Sequence, residues 1–328
     1  MVTPVQATLP LGCAVLAWWL TRTVLRHAPL DHPTTRSSHS QPTPRGGGLA
    51  IVATTVAGLV VGGALGLVDF RLGRAVGCGG SVVAAIGWWD DHAGVSPPVR
   101  LAVQAVAAAW ALWWLGGLPH VMLGAHRVEL GIFGGMLGLA GILWAINLFN
   151  FMDGIDGIAG VEAVCLGAGG ALLLMRFGVA GGVTAPLLIA GASLGFLAWN
   201  WAPARIFMGD VGSGFLGFAF AVLAIWSEDR DGPSIVAWAV LAMVFVLDAT
   251  VTLIRRGLRR EPLTEGHRHH AYQRLVLAGW SHRAVTSAVL GLNLVLLGAA
   301  LLPPLTALVF SIVLCGVCYL LVERVRPM

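Results

Sequence analysis

The sequence predicts an all-α polytopic membrane protein, on three observations. The chain of 328 residues is 57% hydrophobic and 11% charged, whereas a soluble domain carries about 25% charged residues. Apolar stretches near the roughly 20 residues that a membrane-spanning helix needs recur from one end to the other. The arginines also fall unevenly between the connecting segments, as a fixed orientation in a bilayer requires.

Eleven apolar segments qualify as spans, at approximately 4–23, 47–68, 73–89, 99–117, 131–150, 158–176, 182–199, 213–227, 233–254, 283–301 and 304–322. The shortest are 73–89 and 213–227. They leave no block for a soluble domain, so residues 1–328 read as one membrane domain. No basic residue precedes the first apolar run, and Arg22 and Arg26 follow it. This predicts an uncleaved first helix with the N-terminus outside and the C-terminus cytoplasmic. All 20 basic residues are Arg. In this topology 15 of them lie inside and five outside (Arg71, Arg74, Arg127, Arg176 and Arg230), which agrees with the positive-inside rule.

Net charge is +4, with the basic residues dispersed among loops. That argues against nucleic-acid binding and for attraction to anionic headgroups. Cys13, Cys78, Cys165, Cys315 and Cys318 all sit in apolar segments and read as packing residues, including the C-x-x-C of Cys315 and Cys318.

The same topology sorts the loops by chemistry. The outside loops are short and plain, and the polar constellations fall near 24–46, 90–98, 151–157, 200–212 and 255–282. In the first, Arg36 and Arg45 can fork onto phosphate oxygens or simply anchor the inside face, and Gly46-Gly47-Gly48 permits close backbone approach to a ligand. The pair Asp90-Asp91 ends the third span. Carboxylates at a membrane edge need compensation, and phosphate chemistry as a base or through Mg2+ would supply a reason for them. Asn147-x-x-Asn150-x-x-Asp153-Gly154-x-Asp156-Gly157 places two amides and a carboxylate along one helix end, followed by a glycine-assisted turn. Phe207-Met208-Gly209-Asp210-Val211-Gly212-Ser213 sets one carboxylate before a helix whose first N–H groups can bind phosphate. Asp210 is a candidate Mg2+ ligand, because Mg2+ takes one or two carboxylates with substrate phosphates and water. Phe207 can stack on a base or merely pack. His267-x-His269-His270 lies in the most basic loop; neutral histidines suit zinc, but with no nearby cysteine a role beside pyrophosphate fits better. Asp248, inside the ninth span, is a functional suspect or the partner of Arg255 and Arg256 in a structural ion pair.

Together the five motifs resemble the polyprenyl-phosphate N-acetylhexosamine-1-phosphate transferase family, of the glycosyl transferase family 4 type. The likeness covers almost the whole chain, and five motifs in this order are highly specific. It implies transfer of a sugar 1-phosphate from a UDP-linked N-acetylhexosamine to undecaprenyl phosphate, with UMP released. It also implies dependence on Mg2+ (with Mn2+ as a substitute), a cytoplasmic site in the bacterial inner membrane, ten or eleven spans, and compatibility with a homodimer. By motif, Asp90 and Asp91 are catalytic, with Asp90 the candidate base near the lipid phosphate and Asp91 also a metal ligand. Asn147, Asn150, Asp153 and Asp156 line the nucleotide-sugar site. Phe207 stacks on uracil, Asp210 ligates Mg2+, and His267, His269 and His270 approach the pyrophosphate. The peptidoglycan branch has P-T-M-G-G and three consecutive histidines, where this chain reads P-T-P-R-G-G-G and H-R-H-H. The resemblance is therefore stronger to the branch that initiates O-antigen and other surface polysaccharides. The competing reading is a transporter for an anionic metabolite. Transporter sites usually sit at the midplane between repeated halves, and this sequence shows no repeat.

Overall fold

The computed structural model describes residues 4–33, 41–124, 126–262 and 267–325. The chain runs α1 (Pro4–Val24), α2 (Gly48–Ala64), α3 (Phe70–Arg74), a π-helical turn (Ala75–Gly79), α4 (Gly80–Ala93), α5 (Pro97–Leu115), α6 (Phe133–Met152) and α7 (Ile158–Arg176). It continues through α8 (Ala180–Asn200), α9 (Asp210–Glu228), α10 (Ile235–Leu241), α11 (Met243–Leu258), α12 (Ala271–Leu277), α13 (His282–Ala299) and α14 (Pro304–Glu323). Two antiparallel ribbons of two strands each qualify the all-α expectation. One pairs β1 (Leu30–Asp31) with β2 (Thr43–Pro44), and the other pairs β3 (His120–Leu123) with β4 (His126–Glu129) in a loop that reads as plain from sequence.

Each of the eleven apolar segments is helical. By length and apolarity, seven helices among the described residues qualify as membrane spans, or eight if α10 and α11 are one broken span. The protein is thus a polytopic helical bundle. The ninth segment is not one straight helix: α10 and α11 meet at Ala242 with a bend of 86°. The bend has a reason in α11, whose polar residues Asp248, Thr252 and Arg256 recur at four-residue spacing and are all buried. Turning the helix aims that stripe at protein rather than lipid, where polar groups are costly.

The shortest apolar segment in the sequence became the centre of the bundle. Of the residues in α9's apolar window 89% are buried, against 22% for α14. Helix α9 packs on α2, α4 and α6, and glycines set how closely. A Cβ at Gly212 would lie 2.7 Å from the Cα of Gly48, one at Gly217 would lie 2.2 Å from the carbonyl oxygen of Ala145, and one at Gly87 would lie 2.4 Å from the carbonyl oxygen of Asp210. Small residues substitute close backbone packing for the hydrophobic drive that is missing between helices in lipid. Here they bring the C-terminal end of α4 against the N-terminal end of α9, so that Asp90, Asp91 and Asp210 meet. Gly87→Ala should therefore destabilise the protein by about 1–3 kcal/mol through overpacking against backbone. Thermal melts of the detergent-solubilised protein would show it. Gly63→Ala is the control, since nothing lies within 4 Å of its added methyl.

Candidate active site

Adjacent residues on a helix point about 100° apart, and at the end of α4 this sends Asp90 and Asp91 to different partners. The Asp91 side chain is fully buried. It accepts from the backbone N–H groups of Asp210 (3.0 Å) and Val211 (3.2 Å), capping α9 from outside that helix. Its Oδ1 also lies 2.9 Å from Arg45 Nε. Asp90 accepts from Val95 N–H (2.6 Å) and pairs with Arg100. Arg45 reaches on to Asp210 Oδ1 at 2.6 Å, and Arg100 to Asp210 Oδ2 at 3.3 Å. The result is an alternating chain, Asp91–Arg45–Asp210–Arg100–Asp90, in which Asp210 is held from both sides.

Backbone hydrogen bonds fix Arg45 in place. Phe207 N–H donates to Pro44 C=O (2.8 Å), while the N–H groups of Gly46 and Gly47 donate to Phe207 C=O (3.1 and 2.9 Å) and that of Gly48 to Met208 C=O (2.9 Å). Gly46 has φ +112°, which a side chain would resist. The glycine run thus admits the chain's own backbone. The expectation that free N–H groups at the start of α9 would hold phosphate is corrected for the same kind of reason: Asp91 already takes those of Asp210 and Val211.

Arg45, Asn150, Asp153, Asp156, Phe207 and Asp210 line one cavity of about 240 Å³. Asn150 donates to Ser213 Oγ (3.3 Å). The carboxylate of Asp153 has no hydrogen bond or ion pair among the described residues. Burial pushes its pKa well above the usual carboxylate range, and the charges of Asp210, Asp91 and Asp156 add to this against the pull of Arg45. Asp156 Oδ2 accepts from Ala204 N–H (3.0 Å), and its Oδ1 lies 3.2 Å from His282 Nδ1. Asn200 ties the two motif loops together: Oδ1 accepts from Gly157 N–H (3.0 Å) and Nδ2 donates to Ile206 C=O (2.9 Å).

Not every expected residue reaches this cavity. Asn147 donates to Leu143 C=O of its own helix (2.7 Å) and faces a small recess shared with Arg100 and Asp210. Asp90 and Asp91 stand behind Asp210 rather than on the cavity wall. His267, His269 and His270 form a neighbouring cluster, with ring centroids 5.4 Å apart from His267 to His269 and 4.8 Å from His267 to His270. Burial, helped by His270 and Arg256, pushes His267 down to about 3, so this ring is neutral at physiological pH. Arg36 lies outside the described residues.

The ion pair imagined for Asp248 with Arg255 and Arg256 does not form. Arg255 pairs with Glu323 and Arg256 with Glu261. Asp248 instead accepts from Ala271 N–H (2.9 Å), with His270 Nδ1 at 3.3 Å, so it holds the start of α12 and the histidine loop. Tyr272 in α12 donates to Phe151 C=O (2.9 Å), which ties that loop to the cavity floor. Sequence reading missed Arg100, Asn200, Ser213, Gln273 and His282. Arg100 was legible as a lone cation just past the aspartate pair; His282 carried no local signal, because its partner Asp156 lies in a distant segment.

Residues 74–228 match the model for glycosyl transferase family 4, a stretch that carries Asp90, Asp91, the Asn147–Asp156 motif and Asp210. The chain is 30% identical over 276 residues, 80% of its length and 74% of the relative's, to a probable undecaprenyl-phosphate N-acetylglucosaminyl 1-phosphate transferase of Bacillus subtilis. It is 33% identical over 341 aligned positions, 91% of this chain and 90% of the relative, to a phospho-N-acetylmuramoyl-pentapeptide-transferase of Synechococcus. A decaprenyl-phosphate N-acetylglucosaminephosphotransferase of Mycolicibacterium smegmatis is 30% identical over 320 residues, 86% of this chain and 77% of that one. With relatives 30% or more identical along most of their length, the chain belongs to glycosyl transferase family 4.

Proposed function

We propose that this protein transfers N-acetylhexosamine 1-phosphate from a UDP-linked donor to undecaprenyl phosphate, releasing UMP, at the cytoplasmic face of the bacterial inner membrane. The product, undecaprenyl-diphospho-N-acetylhexosamine, would start O-antigen or another surface polysaccharide. The observation that carries this reading is the alternating Asp–Arg chain beside a cavity that also holds Phe207 and the unpaired Asp153. Its arginines can exchange a carboxylate for phosphate oxygens, bidentately and without losing charge. Its place at helix ends lets an isoprenoid tail stay in lipid while the phosphate reaches the site.

In the reaction an oxygen of the lipid phosphate attacks the phosphorus that bears the sugar, and the bond to the UMP phosphate breaks. The lipid phosphate would reach past Asp210 to Asp90, which is paired with Arg100 and takes any remaining proton without a covalent intermediate. Arg45 and Arg100 stabilise charge on the phosphates as it shifts toward UMP. Phe207 stacks on the base. The donor set suits Mg2+: Asp210, Asp153 and Asn150 offer hard oxygens in one cavity, and Asp153 is a half-buried carboxylate with no ion pair among the described residues. Among the described residues no group of three carboxylate, histidine or cysteine side chains is placed to hold a metal ion by itself, so substrate phosphates and water would complete the coordination. Asp210 and Asp153 would hold it at the cavity wall, while Asp91 keeps Asp210 in place from behind. When bound, the ion would neutralise the diphosphate and favour departure of UMP.

Purified protein in detergent, given undecaprenyl phosphate, Mg2+ and a panel of UDP-N-acetylhexosamines, should release UMP with a simple UDP-sugar. EDTA should abolish release, and Asp210→Asn should lower it at least a hundredfold. Release only with UDP-MurNAc-pentapeptide would move the protein to the peptidoglycan branch, the reading favoured by its similarity to the Synechococcus enzyme. Silence with every donor from folded protein would sink the proposal.

Asp153 makes a second prediction. Its folded pKa is raised, so the stability linked to its protonated form is complete below about pH 4, the unfolded value, and is lost as pH rises through the folded value. In chelator-containing buffer the wild-type melting temperature should therefore fall with pH relative to Asp153→Asn. Added Mg2+ should recover part of the loss in the wild type only.

A further inference from the structure

His282 was not singled out by any motif, yet it stands in the wall of the cavity, at the first residue of α13. The helix start is fixed by Ser281, which caps it by accepting from Ala284 N–H at 3.2 Å. The first turns of α13 then grip both motif loops. Thr286 Oγ1 donates to Asp156 C=O (2.8 Å), and Arg283 donates to Ala202 C=O (2.9 Å). His282 itself is 17% exposed, and its Nδ1 lies 3.2 Å from Asp156 Oδ1 and 3.4 Å from Asp156 N. The ring is therefore oriented through Nδ1, in the way that a carboxylate fixes the ring of a functional histidine. The other nitrogen, Nε2, has no hydrogen bond among the described residues. A residue needed only to pin Asp156 could be any donor that reaches its carboxylate; His282 lines the cavity and carries a second ring nitrogen as well.

The cavity has two chemically different parts. Arg45, Asp210 and Asp153 make one suited to phosphates and a cation. Asp156, His282 and Asn200, joined by hydrogen bonds through Asp156 and Gly157, make the other, and Phe207, whose backbone bridges to Arg45, lines the same cavity. The second part suits a nucleoside: a flat ring with donors and acceptors on its edge, followed by ribose hydroxyls. A carboxylate that accepts and an imidazole nitrogen that can donate or accept would both find partners there. We propose that His282, oriented by Asp156, is a binding residue for the nucleoside half of the donor. The inference rests on the proposed nucleotide-sugar reading and extends it to a residue at the edge of the fifth segment that its histidine motif does not include.

The test measures binding of UDP and of pyrophosphate to the full-length protein in detergent, for the wild type and for His282→Ala, His282→Asn and His282→Gln. Asparagine places its amide near the position of Nδ1 and can still reach Asp156; glutamine places its amide near the position of Nε2. His282→Ala should weaken UDP about tenfold and leave pyrophosphate unchanged. His282→Asn should remain as weak for UDP as alanine, while His282→Gln should recover part of the affinity. In turnover, the KM for the UDP-sugar should rise about tenfold in His282→Ala, with kcat and the KM for the lipid within a few-fold of wild type. Wild-type affinity in His282→Asn would reduce His282 to a positioning role and overturn the inference. Equal weakening of UDP and pyrophosphate would overturn it too, by showing general damage. If wild type binds UDP and all three variants match it, this inference alone falls. If wild type does not bind UDP, the nucleotide-sugar reading falls and takes the inference with it.

Discussion

Three carboxylates meet at the ends of two helices, and two arginines make that meeting tolerable. Charges taken out of water are costly unless paired and hydrogen-bonded. Asp91, fully buried, meets the requirement with two backbone N–H groups and Arg45. Asp210 meets it with Arg45 on one side and Arg100 on the other. Because Arg45 comes from the segment before α2 and Arg100 from the start of α5, the chain of charges ties four separate stretches of sequence into one site. It also leaves arginines at the site whose guanidinium groups suit oxyanions as well as carboxylates.

The site depends in turn on packing within the bundle. Asp91 can cap α9 only because Gly87 lets α4 approach the carbonyl of Asp210, and the segment carrying Arg45 lies flat only because Gly48 meets Gly212. The glycines that look permissive in sequence are therefore positioning devices, and their effect is felt at the carboxylates. Helix α9 joins the two roles, with a buried body in the bundle and an N-terminal residue that belongs to the cavity.

A second unit braces the first. Asp248 lies on a helix turned by 86° from its predecessor, and it holds the backbone and His270 at the start of α12. Tyr272 and Gln273 then face the Asn150–Asp156 segment and the cavity. The histidine cluster is thereby presented next to the cavity rather than inside it. That geometry suits groups that meet a substrate projecting from the cleft.

The sequence by itself determined the class of the protein and most of its chemistry. Apolar runs of spanning length can form little but helices in lipid, because every backbone polar group must be satisfied within the segment; all eleven are helical. Polar residues are equally legible against such a background, so Arg45, Asn150, Asp153, Asp156, Phe207 and Asp210 stand out in the sequence and share one cavity. The tertiary structure alone decided what each of them does. Adjacent Asp90 and Asp91 look equivalent in sequence, yet the helical rotation gives one to Arg100 and the other to the start of α9. Asp248 had two nearby arginines and chose a helix start 23 residues away, because the bend of α11 turns it there. His282 was invisible, since its partner is 126 residues distant. Local spacing reports which groups a segment offers; only the packing of distant segments sets which of them meet.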